Sequence, residues 1–252
     1  MTAPRTVVVH PDADALAATT GARLLLHILD TQAVRSPVHV VLTGGTVGIQ
    51  LLAEAARNPL RDLVDWSDVH VWWGDERFVP ADDGDRNALQ AREALLDALP
   101  LPVGNVHEMP AARPDDPTFG PDEAAAEHAS ELARHAPAGA ATPTFDVVLL
   151  GMGPDMHVAS LFPGHPARDT HGAATVGVHD SPKPPPSRVS LTFEAINGAR
   201  EVWVVAAGAE KAEAVAASLA GDPVSSAAHV RGTERTLWLI DAAASGSAAA
   251  DA

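Results

Sequence analysis

Within the run FDVVLLGMGPDMHVASLFPG, Phe145 to Gly164, Asp155 and His157 are the residues whose types and spacing suit acid–base chemistry. An ordinary imidazole, with a pKa of about 6.5, is substantially neutral at pH 7, so it accepts a proton from water and returns one to a leaving oxygen. Asp155 is the candidate to orient the ring, although the i, i+2 spacing alone does not establish contact. A positioned water, such a base and charge stabilisation for an oxyanion suffice to open an ester-like carbonyl. Ser160 would be the rival nucleophile. No Gly-x-Ser-x-Gly elbow surrounds it and it falls at the start of a predicted helix, so water is the expected nucleophile. Asp155, His157 and His165 offer donor atoms for a metal, yet their spacing matches no standard ligand set and the other histidines are scattered along the chain. No metal and no cofactor is expected, and His27, His128 and His229 read as surface or core-edge residues.

Charge makes the few cations informative. The 252-residue chain carries 17 Lys+Arg against 33 Asp+Glu, a formal net charge of −16. A nucleic-acid surface is disfavoured, because phosphate backbones need a basic stripe and no Lys/Arg cluster is present. A small anion is repelled by the average field too, so a site for one needs a local group of Arg, Lys and backbone N–H donors, aided by screening over about 8–10 Å. Lys211 falls in the first turn of a predicted helix, where a cation opposes the helix dipole and a bound anion would remove the conflict. The turn Thr43-Gly44-Gly45-Thr46-Val47-Gly48 leads from a strand into a helix and offers free N–H groups at the positive end of a dipole. Such turns also occur for steric reasons alone.

A repeating strand, turn and helix pattern must position these residues. Phe145 to Leu150, with Asp146 its one polar residue, reads as a strand buried on both faces. Thr6–Val9, Val38–Leu42, Asp68–Trp73, Val189–Phe193, Glu201–Ala206 and Thr236–Ile240 read as further strands. Helices are predicted from Pro11, from about Ile49 to Arg57, through Arg92–Leu99, over Asp122–His135 and Glu194–Gly198, and from Lys211 to Leu219. The fold class is α/β: an open, mostly parallel Rossmann-like sheet with helices on both faces, in a single domain over 1–241. The Ala/Gly/Ser tail, 242–252, is expected to be disordered. Ligands of such sheets sit outside the carboxyl ends of the strands, where the glycine turns fall. Asp75 and Glu76 read as partners in an internal ion pair, Asp85 as an N-cap, and Arg86 and Asn87 as helix-start residues. Gly164–Ser187 reads as a long Pro-, Gly- and His-rich loop holding Lys183 near the mouth of the site.

The central run resembles the signature of 6-phosphogluconolactonases, Gly-x-Gly-x-Asp-Gly-His-x-Ala-Ser-Leu-Phe-Pro-Gly, departing only at Met156. VLTGGTVGIQLL from Val41, VWWGDERFVP from Val71, SPKPPPSRVSLTFEAIN from Ser181 and AAGAEKAEAV from Ala206 are similar to the same family in the same order. The resemblance implies hydrolysis of 6-phospho-D-glucono-1,5-lactone to 6-phospho-D-gluconate, the second step of the oxidative pentose phosphate pathway. It implies His157 and Asp155 as the catalytic pair, with Gly44, Gly45, Thr46, Arg77, Arg188 and Lys211 on the substrate or its phosphate. Where the family has a further hydroxyl, Val47 supplies none. Related amino-sugar-phosphate isomerase/deaminases share the Asp-Gly-His element but continue differently, and Ala159 to Pro163 follow the lactonase pattern. If the loop needs positive φ at position 156, a methionine strains it, which leaves a non-catalytic sugar-phosphate-binding protein as an alternative beside the isomerase/deaminase.

With no cysteine, disulfides and thiolate chemistry are excluded. The apolar run Val7 to Val9 is too short for a signal peptide, and no run reaches membrane-spanning length. The expectation is a cytoplasmic protein, monomer favoured, whose partner is a small sugar-phosphate lactone rather than nucleic acid or membrane.

Overall fold

The apolar runs pair side by side because each buries both of its faces. The computed structural model describes residues 5–246. In chain order these form β1 (Arg5–His10), α1 (Ala13–Gln32), β2 (Val38–Leu42), α2 (Gly45–Arg57), β3 (Val69–Trp73), β4 (Asp75–Arg77), α3 (Asn87–Ala94) and α4 (Pro121–Arg134). There follow β5 (Val147–Gly151), β6 (Thr175–Val178), β7 (Arg188–Leu191), α5 (Phe193–Asn197), β8 (Glu201–Ala206), α6 (Ala212–Leu219) and β9 (Arg235–Asp241). Six strands make a parallel sheet in the order β1-β9-β8-β5-β2-β3. Alternate residues of each central strand feed two separate cores. Val40, Val147, Leu149, Trp203 and Leu237 pack with α1, α2 and α3, while Val41, Val148, Leu150, Val204 and Trp238 pack with α4, α5 and α6. Every residue of β2 and β8 is buried, as a strand covered by helices on both sides requires.

Several local expectations are corrected. The segment after Gly164 is not one loop: it contains a 3-10 turn at Pro166–Asp169 and the four-residue β6, which joins β4 and β7 in a small antiparallel sheet. It pairs with β7, Thr175 opposite Leu191 and Val178 opposite Arg188, and four residues that include a glycine are too few to show a strand periodicity. No helix follows His157, because Met156 and Ala159 take φ of 66° and 48°, and Val158 instead bridges to Met152 and Leu161. α3 stops at Ala94 and passes into a 3-10 turn at Leu96–Ala98 rather than running on to Leu99. Asp85 does not cap α3. The Glu76 carboxylate does, accepting from the N–H of Asn87 at 2.7 Å and of Ala88 at 2.8 Å. Residues 242–246 of the expected tail form a turn in which Ala244 is buried, Ser245 N–H donating to the Asp241 carbonyl at 3.0 Å; the rest of that expectation lies outside the described residues. Among the described residues no helix is long and apolar enough to cross a membrane.

Candidate active site

At the carboxyl edge of the parallel sheet the turns after β2, β3, β5 and β8 converge on a cleft of about 680 Å³ counted with its open mouth, a size that suits a small metabolite. Gly44, Gly45, Thr46, Arg77, His157, Arg188 and Lys211 all line it. Asp155 stands behind the imidazole, its Oδ1 2.6 Å from His157 Nδ1. A carboxylate only accepts, so Nδ1 carries the proton and Nε2 is the free basic nitrogen. Lys183 Nζ also donates to Asp155 Oδ1, at 3.0 Å, which brings the expected mouth lysine into the pair. Burial pushes the Asp155 carboxyl up, but the hydrogen bond and charge of His157, and then those of Lys183, outweigh it and hold the group well below the usual carboxylate range. The ring stacks on Phe162, with centroids 4.5 Å apart. Gly153 is required by contact: a Cβ there would lie 2.3 Å from Asp155 Oδ1 and from His157 Nδ1.

The cations come from three elements. Arg77 and Arg188 face each other across the β4–β7 pairing, and Lys211 is the residue before α6. Arg77 Nη1 donates to the Asp85 carbonyl at 2.5 Å. Arg188 is buried; its Nη2 donates to the carbonyls of Lys183 and Pro184 at 3.1 and 2.9 Å, and its Nη1 lies 3.8 Å from Asp75. It thus ties the 183–185 segment to the cleft as well as lining it. Burial lowers the Lys211 ammonium, with Glu210 opposing and the charge of Lys183 adding to the effect. At the opposite wall Gly44 precedes α2, whose first turn has no side-chain cap. Gly44 also answers a steric demand, since a Cβ would fall 1.8 Å from Asn87 Oδ1.

Asn87 is the site residue that sequence reasoning left as a helix start. It lines the cleft, its Nδ2 donates to the Asp75 carbonyl at 2.9 Å, and its Oδ1 is buried without a protein partner among the described residues. The available signal was its place at a helix start close behind the charged Asp75-Glu76-Arg77 turn. Asp75 and Glu76 are the expected internal partners: Glu76 caps α3 and lies 3.7 Å from the buried Arg86. Asp75 accepts from the Ser160 hydroxyl at 2.6 Å. Ser160 is fully buried and its proton is committed to that carboxylate.

The histidines are not scattered. His165 does not join His157, its ring being bound to the His179 carbonyl and the Ala167 N–H. His39, His70, His107, His128 and His135 instead gather around Trp72, with His39 and His70 at the amino-terminal ends of β2 and β3, outside the cleft lining. His128, expected at the surface or the edge of the core, is wholly interior, with neither ring nitrogen partnered among the described residues.

A family profile described as "Glucosamine-6-phosphate isomerases/6-phosphogluconolactonase" matches residues 11–238. A 6-phosphogluconolactonase of Streptomyces coelicolor is 52% identical over 244 residues, covering 94% of this chain and 92% of the relative. One of Mycobacterium tuberculosis is 47% identical over 239 residues, covering 93% and 95%. The solved 6-phosphogluconolactonase of Trypanosoma brucei superimposes with a TM-score of 0.85 at 30% identity, over 97% of this chain and 99% of that one. A monomeric glucosamine-6-phosphate deaminase has the same fold, TM-score 0.75, at 17% identity.

Proposed function

The chain belongs to the glucosamine-6-phosphate isomerase/6-phosphogluconolactonase family, and from that premise we propose that it hydrolyses 6-phospho-D-glucono-1,5-lactone to 6-phospho-D-gluconate through a water activated by His157. In this reading Asp155 holds the Nδ1 proton, and Nε2 removes a proton from water as its oxygen attacks the lactone carbonyl. Collapse of the tetrahedral intermediate breaks the bond to the ring oxygen, which takes the proton back from the imidazolium. Arg77, Arg188 and Lys211 supply positive charge for the phosphate and the developing oxyanion, with the N–H groups of Gly44, Gly45 and Thr46 beside them. The observation that carries the reading is the 2.6 Å Asp155–His157 pair beside a cleft lined by three cations.

The lactone also opens spontaneously, so the test is the excess rate. Purified protein consumes the lactone faster than buffer, and His157→Ala removes the excess; a wild-type rate equal to buffer would reject the reading. Release of ammonia from glucosamine 6-phosphate would favour the deaminase alternative, against which stand the lactonase relatives and the Ala159–Pro163 continuation. Binding of 6-phosphogluconate without turnover would favour a non-catalytic protein. Two expectations accompany the proposal, a monomer and a cytoplasmic location, to be read by gel filtration and fractionation.

A further inference from the structure

At the amino-terminal end of edge strand β3, opposite the cleft, three imidazoles meet from three elements. His70 is the second residue of β3, and His107 is pinned to that strand by its N–H, which donates to the Val71 carbonyl at 2.9 Å. His135 is the C-cap of α4. One nitrogen from each ring lies within 4.8 Å of the others. His107 Nδ1 is 2.8 Å from Glu131 Oε1, so the proton sits on Nδ1 and the Nε2 lone pair is directed at His70 Nδ1, 2.9 Å away. A carboxylate on the far nitrogen of a ring is the arrangement that orients metal-bound histidines and raises their basicity. The ring is further fixed by stacking on Trp72, with centroids 3.8 Å apart and planes 10° from parallel. The charged groups nearby are Glu131, Arg134, which pairs with it, and Asp68. A cation here also lies at the negative end of the α4 dipole.

We propose that His70, His107 and His135 bind a divalent transition ion of the zinc class, with Glu131 as the outer carboxylate and water completing a tetrahedron. Three imidazoles without thiolates select zinc, copper or nickel over magnesium or calcium. The ion replaces the proton shared by His70 and His107. Two Zn–N bonds of about 2.0–2.1 Å at a tetrahedral angle place the nitrogens about 3.3 Å apart, so the pair opens slightly and turns toward the ion. The site is structural: it staples the edge strand to the end of α4.

The test uses the untagged full chain after EDTA treatment, titrated with Zn²⁺ alone by calorimetry and Co²⁺ alone by visible absorption. One equivalent per chain binds, with an intense tetrahedral-type cobalt spectrum, and a hundredfold excess of Zn²⁺ over Kd raises Tm by about 5–10 °C. Glu131→Gln weakens binding by about 10–100-fold, and His135→Ala by at least as much. His135 is partly exposed at the end of α4 and outside the cleft lining, so its loss leaves the fold and the lactone rate intact. His157→Ala retains full metal binding. Absence of saturable binding, binding unchanged in both His135→Ala and Glu131→Gln, or loss of binding in His157→Ala would overturn the proposal.

Discussion

Asp155 acts on His157 through one short hydrogen bond, so removing only its charge separates orientation from binding. Asp155→Asn lowers kcat by about 10²–10⁴-fold with KM little changed, because the amide no longer stabilises the imidazolium or holds the right tautomer. Initial rates over a range of lactone concentration check this. Ser160→Ala keeps the rate within about threefold of wild type, because the hydroxyl is a structural donor to Asp75; its loss costs about 1–3 kcal/mol of stability. A rate collapse without unfolding would restore Ser160 as a nucleophile. Met156 occupies the left-handed conformation that the family glycine takes easily. A left-handed non-glycine costs about 1–2 kcal/mol, offset in Met156→Gly by greater freedom of the unfolded chain, about 0.5–1 kcal/mol. Lost packing of the partly buried Met156 side chain against the core offsets the remainder, so urea midpoints of Met156→Gly stay close to wild type, and so does the lactone rate.

At the scale of elements, the cleft depends on a helix start that the helix does not cap for itself. α3 begins at Asn87 with its first N–H groups bound to Glu76, a carboxylate from the preceding strand that is buried beside Arg86. The same carboxylate accepts from the Arg77 N–H at 2.8 Å, so one side chain sets the positions of Arg77 and Asn87 together. Glu76→Ala destabilises by about 3–5 kcal/mol, because three N–H groups lose their acceptor and the buried Arg86 loses a carboxylate, keeping the Met109 carbonyl and the more distant Glu108. The residual folded enzyme shows a raised KM, because both cleft residues lose their anchor. Chemical denaturation and kinetics on the same preparation read the two effects.

Across the whole molecule, the histidine group around Trp72 makes the fold acid-sensitive. Burial pushes His39 down to about 3, and His107 and His128 to about 4, with the neighbouring histidines adding to the fall at His39 and His107. Their folded pKa values lie below the unfolded value, so the unfolded chain takes up protons first. Stability is then complete above pH about 6.5 and declines as pH falls toward 4, by up to about 3 kcal/mol for His128 alone. Glu76 acts in the opposite sense, since burial raises its carboxyl even against Arg86 and three N–H donors. Melting in EDTA from pH 7 to pH 4 shows the decline, and His128→Leu, which removes two unpartnered buried nitrogens, flattens it.

The strands were legible because burial on both faces leaves a continuous apolar run, and Val38–Leu42 and Glu201–Ala206 fall where that pattern puts them. The candidate pair at Asp155 and His157 was legible because residue type and glycine spacing are local properties. What local pattern could not express was partnership across distance. β6 packs on α4, its Thr175 hydroxyl donating to the Ala125 carbonyl 50 positions earlier, α3 needs a carboxylate from β4, and Ser160 has its role only because Asp75, 85 positions earlier, takes its proton. Histidines at 70, 107 and 135 look unrelated along the chain and become one cluster only when β3 and α4 pack together. Chemical identity is carried by single residues, and the sequence by itself determined that much; which groups meet, and which are thereby spent on one another, is set by packing between segments far apart, and only the tertiary structure decided it.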